Sequence, residues 1–168
     1  MDADDLYGLP LDSFVAERGK LAKELKAVGD RDRAAEVTAL RKPSVAAWAV
    51  NQLVRTQPKP IAGLFKAGDT LRKAQEKVLA GRGDAGDLRA GVEREREAVS
   101  GLVEKARGLL NSDGHELSQA VLDRVSDTLH AAALDGQARA QVRAGTLVGE
   151  LRHAGLGMAG GFAATPSP

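Results

Sequence analysis

The chain of 168 residues contains no cysteine, which excludes disulfides, thiol catalysis and every zinc or iron–sulfur site that needs a sulfur ligand. Aromatic residues are scarce: three Phe, one Tyr and one Trp, so any core must be built mainly from Leu, Val and Ala. Long apolar runs are missing too. The longest, Val45 to Val50, falls far short of the roughly 20 residues that cross a bilayer, so no membrane contact is expected. The amino terminus, MDADDLYGLP, carries acids where a secretion signal has a basic region and an apolar stretch. The expected location is therefore the cytoplasm.

What the chain has in quantity is Ala, Leu, Glu, Lys and Arg, residues that lose little side-chain freedom in a helix. Apolar positions recur at three- and four-residue steps almost throughout, with no sustained period-two alternation. The expectation is an all-α fold: a single domain of about seven helices over residues 1–154, followed by a disordered Gly/Pro-rich tail over 155–168. A body of this length buries roughly two thirds of the surface its unfolded form exposes, enough for a core without staples.

Stop and cap signals set the boundaries. A first helix is expected from about residue 11 to 28, with Phe14, Leu21, Leu25 and Val28 on one face and Gly29-Asp30 ending it. The second, from about 31 to 41, presents Ala34, Val37 and Leu40, and must stop before Pro43 because the residue preceding proline is pushed out of the helical region. Ser44 then caps a third helix, about 45 to 56. Beyond Gln57-Pro58-Lys59-Pro60, a fourth carries Ile61, Leu64, Gly68, Leu71, Gln75 and Val78. After GRGDAGD a fifth carries Leu88, Val92, Glu95, Val99, Leu102, Ala106 and Leu109. These two stripes predict a long central antiparallel hairpin with narrow seams, each interrupted by one polar residue, Gln75 or Glu95. NSDG at 111–114 introduces a sixth helix, about 115 to 134, and short pieces are expected at about 137–144 and 147–153.

Several strings imitate chemical motifs. GRGDAG at 81–86 matches GxGxxG, but that fingerprint binds a pyrophosphate only where a strand feeds a helix within a parallel sheet. Here a helix precedes it, and a turn is the expectation. His115, His130 and His153 lie at no spacing that places two ligands on one helix face, and His115-Glu116 lacks the second histidine of HExxH, since position 119 is Gln. No metal and no cofactor are expected. EREREA, 93–98, reads as a solvated face on which only Glu95 reaches the seam, where one polar residue sets pairing register.

Charge is unevenly spread. Residues 1–16 hold four acids, 17–82 hold fifteen Lys and Arg against seven Asp and Glu, and 83–168 hold nine against twelve. The basic middle either docks an acidic half of the same fold or meets an anionic partner. Within it, EVTALRKPSVAAWAVNQL is loosely like a helix-turn-helix unit spanning 31–56. Under that reading Arg31, Arg33, Arg41, Lys42, Ser44, Arg55 and Lys59 would hold phosphates, and Asn51 and Gln52 would read adenine edges. The six non-polar residues around Trp48 argue instead for a core helix, because a reading helix needs an exposed polar flank, and the long hairpin is expected to pack against an amino-terminal group built around Trp48.

The stretch ALRKPSVAAWAVNQL, with LYGLPLDSFVAERGKLAKELKAVGDRDRAAEV before it and LDRVSDTLHAAALDG and GELRHAGLG after it, resembles a family of Ala- and Arg-rich helical proteins from actinobacteria. The likeness spans roughly residues 6–157. It implies a cytoplasmic all-helical protein and transfers no functional residues, because the family has no assigned activity. Its members continue into charged helical extensions, whereas this chain has a Gly-rich ending.

With no reactive constellation in the sequence, the expected role is that of a non-enzymatic interaction or scaffold protein, self-associating or binding a protein partner. A nucleic-acid binder using the basic segment 17–82 is the alternative. An enzyme whose site leaves no motif comes third.

Overall fold

The computed structural model describes residues 1–110 and 114–152. Among them the regular structure is helical: α1 (Phe14–Ala27), α2 (Arg31–Thr38), α3 (Val45–Thr56), α4 (Pro58–Leu79), α5 (Ala85–Arg107), α6 (Gln119–Leu134) and α7 (Gly136–Ala144), preceded by 3₁₀ turns at Ala3–Gly8 and Leu11–Ser13. One isolated antiparallel bridge joins Leu110 to Glu116. No helix among the described residues is long and apolar enough to cross a membrane.

Helix starts are fixed by side-chain oxygens that take up amides the helix leaves unpaired. Asp30 accepts from the Arg33 amide, Ser44 from Ala47, Ser118 from Val121 and Asp135 from Ala138. Gly29, at φ 86°, turns the chain between α1 and α2 in a left-handed conformation that favours glycine.

Two apolar clusters result. The smaller joins Leu6, Tyr7, Phe14, Leu21, Ala22 and Val37 from the first 3₁₀ turn, α1 and α2. The larger draws on α3 to α7, with α3 inside it: Ala46 through Val50 and Leu53 are all buried. Its backbones approach closely. A Cβ on Gly68 of α4 would lie 1.9 Å from the Ala133 carbonyl oxygen of α6, and one on Gly91 of α5 would lie 3.3 Å from the Leu71 Cα of α4.

Several expectations are corrected. The amino-terminal group is built on Leu6, Tyr7 and Phe14, while Trp48 belongs to the larger cluster. α6 begins at Gln119 rather than near 115. Residues 147–152 are not helical, because Gly145, at φ 71°, ends α7 and turns the chain away. Val28 is exposed beyond the end of α1, and Gln75 and Val78 are exposed where α4 outruns the core. His153 and the expected tail at 155–168 lie outside the described residues, as do 111–113.

Candidate functional site

The polar residues that the sequence offered as nucleic-acid contacts recur along α3 at positions 44, 51, 52 and 55, steps that keep them near one side of a helix together with Trp48. The structure turns this side inward. The Ser44 amide donates to the Val148 carbonyl (2.9 Å), and its hydroxyl donates to Glu150 Oε2 (3.0 Å) while capping α3. Asn51 donates through Nδ2 to the Leu147 carbonyl (3.0 Å) and accepts the Leu147 amide at Oδ1 (2.8 Å).

The neighbouring groups face the other way. Trp48 Nε1 donates to the Leu9 carbonyl (2.9 Å) and Gln52 Nε2 to the Tyr7 carbonyl (3.2 Å). Arg55 spans both directions, with Nη2 on the Asp4 carbonyl (2.7 Å) and Nη1 on that of Gly145. α3 therefore carries a row of donors and acceptors that bind the backbone of the amino-terminal 3₁₀ turn on one flank and of residues 145–148 on the other.

That arrangement corrects the reading of bases. Asn51 is fully buried and Gln52 is half-buried on Tyr7, so their amides are committed to the chain itself. Ser44 and Arg55 are likewise engaged internally. Arg31, Arg33, Arg41, Lys42 and Lys59 are exposed, Arg33 lying 3.6 Å from Asp2. Nor do α2 and α3 make the mutual packing of a helix-turn-helix unit: α2 packs on α1, and α3 on α6 and the first 3₁₀ turn.

On α6, Thr128 continues the same device. Its hydroxyl oxygen accepts the Leu151 amide (3.0 Å), and its proton is shared between the Arg124 carbonyl (2.9 Å) and that of Leu151 (3.2 Å). Arg139 of α7 donates to the carbonyls of Ala132, Ala133 and Phe65 and to Asp69, with its guanidinium 5.0 Å above the Phe65 ring. These last carbonyls of α6 are groups that a helix end leaves without an internal partner.

A separate polar feature lies between α5 and α6. Glu95 Oε1 meets His130 Nδ1 at 2.5 Å, with the carboxylate enclosed. The imidazole lines an open cleft of about 350 Å³ with Arg96, Ser100, Glu104, Asp123 and Ser126. A carboxylate on one ring nitrogen fixes the orientation of the ring and leaves Nε2 as its remaining polar atom. Sequence spacing gave half of this pair: Glu95 stood out in its seam, but nothing local to it marks a histidine 35 residues away. Thr128 and Arg139 gave no signal at all, because their partners are backbone groups. Among the described residues no three His, Asp or Glu side chains gather as a metal site.

No family model, no curated protein and no solved structure matches the chain.

Proposed function

We propose that this is a non-enzymatic helical interaction or scaffold module of the cytoplasm, in which α4 and α5 form an antiparallel hairpin that reaches past the core to meet a protein partner, a second copy first among them. The observation that carries this reading is where burial stops. The buried positions of α4 end at Leu71 and those of α5 begin at Gly91, and between them only Ala74 and Leu88 are even half-buried.

Near the end of α4, Leu79 is 87% exposed and Val78 39%. They contribute little to the chain's own core, and covering them on association would remove apolar surface from water at about 25 cal/mol per Å². The polar side chains of α3 and α6 that could serve a small ligand are spent on the chain's own backbone, which also favours a structural role over catalysis.

Light scattering over a wide concentration range tests the reading. The expected result is a mass that rises with concentration in the wild type and rises less steeply in Val78→Glu/Leu79→Glu, with unchanged helix content. A wild type that stays monomeric and recovers no more partner in pull-downs than the double variant overturns it. A second reading rests on the exposed cations Arg31, Arg33, Arg41, Lys42 and Lys59, which would hold phosphates without reading sequence. It requires binding at low ionic strength that falls steeply with salt.

A further inference from the structure

Residues 146–152 form a non-helical strap beside α3 and α6, and the bonds described for it run to groups outside it. Asn51 takes both backbone groups of Leu147, Thr128 takes the Leu151 amide, the Ser44 amide takes the Val148 carbonyl, and Glu150 reaches the Ser44 hydroxyl and lies 3.8 Å from Arg124. Leu147 is buried and Leu151 half-buried against the larger cluster. This is how a bound peptide is held: side chains of a helical groove read backbone polar groups, and two leucines four positions apart supply the anchors.

We propose that the strap is exchangeable, so that residues 146–151 of one copy seat in the α3–α6 groove of a second copy and make the same bonds in trans. Three observations support this. The strap joins α7 through Gly145, a left-handed pivot at φ 71°. Among the described residues its outer side is open: a cleft of about 650 Å³ lies between it and Ala140, Gln141 and Ala144 of α7, and Gly149 and Glu150 are exposed. It can therefore leave without parting the helices.

The third observation names the occupant. Asn51 and Thr128 are fully buried with the strap in place, so an emptied groove exchanges their bonds to Leu147 and Leu151 for bonds to water and uncovers the apolar seats of both leucines. A backbone presenting its amides and carbonyls at the same spacing relieves this, and the strap of a second copy does so at every position. The proposal stands apart from the α4–α5 reading, since variants at Val78 and Leu79 leave the groove intact.

The chain has no cysteine, so introduced thiols are the only ones present. A Ser44→Cys chain is mixed with a Val148→Cys chain under mild oxidation. The expected product is a disulfide-linked heterodimer, joined between positions 44 and 148 in peptide mass spectra. Excess synthetic peptide of residues 145–152 should suppress it at least tenfold. Monomers alone in the mixture, while a single chain carrying both substitutions closes its internal disulfide, overturn the proposal.

A second measurement is independent of thiol geometry. The same peptide, fluorescently labelled, is titrated with the full chain, and saturable anisotropy is expected. Binding should be at least tenfold tighter to a Leu147→Asp chain, whose own strap is unseated, and should be lost when Asn51→Ala is added. A flat titration against the unmodified chain overturns exchange whatever the variants do.

Discussion

Glu95 of α5 and His130 of α6 meet at 2.5 Å, with the carboxylate side chain 4% exposed and the imidazole 35%. An enclosed carboxylate whose hydrogen-bond partner is removed keeps its desolvation cost without compensation. His130→Ala is therefore expected to destabilise the fold by about 2 kcal/mol, below the range for fully enclosed pairs because the imidazole side admits water. Replacing both residues by Leu should restore most of that loss, as measured by urea denaturation. Equal losses in the single and double variants would show that the pair is not coupled.

Asn51→Ala leaves the Leu147 amide and carbonyl without partners in a buried setting. A loss of about 2–4 kcal/mol is expected from two stranded groups. Asn51→Asp should cost more, since one carboxylate oxygen would replace a donor opposite the Leu147 carbonyl. Hydrogen exchange should show the Leu147 amide losing protection in both variants before the α3 amides do.

Gly68 and Gly101 both lie inside helices yet respond oppositely to a methyl group. A Cβ at Gly68 meets the Ala133 carbonyl at 1.9 Å, while one at Gly101 meets nothing within 4 Å. Gly68→Ala should lower stability by about 1–3 kcal/mol by forcing α4 from α6. Gly101→Ala should raise it by about 0.5–1 kcal/mol through helix propensity. Thermal unfolding of the two variants side by side checks the sign of each.

Tyr7 is buried in the smaller cluster, and burial first, then the nearby Asp4 carboxylate, raises its phenol above the ordinary value of 10.0. The unfolded chain thus releases this proton at lower pH than the folded one, so stability falls as pH rises above 10 and levels off once the folded phenol ionises. Denaturation midpoints of the wild type should drop through this window. Those of Tyr7→Phe should drop less.

Much of the architecture was legible because it is locally written. Asp30 and Ser44 announce helix starts, Gly29 and Pro43 mark breaks, and the apolar girdle around Trp48 implies an enclosed helix. The strap was misread for a physical reason: Leu147 and Leu151 stand four apart, as on a helix, but the bonds that decide their conformation come from Asn51 and Thr128, 96 and 23 positions away. Gln75 was misplaced because periodicity continues along α4 after the core has ended. The alternative in which Asn51 and Gln52 read adenine edges arises because sequence shows that an amide can pair bidentately, not which partner lies opposite it.

The single indole of the chain sits where the two apolar clusters touch, enclosed by the larger and hydrogen-bonded to Leu9 beside the smaller. Its emission colour is consequently a one-site gauge of that junction. Should the amino-terminal turn peel away ahead of the helices, fluorescence would redden while ellipticity stayed constant. A mismatch between the two melting curves would then measure how independently the ends of the molecule come apart.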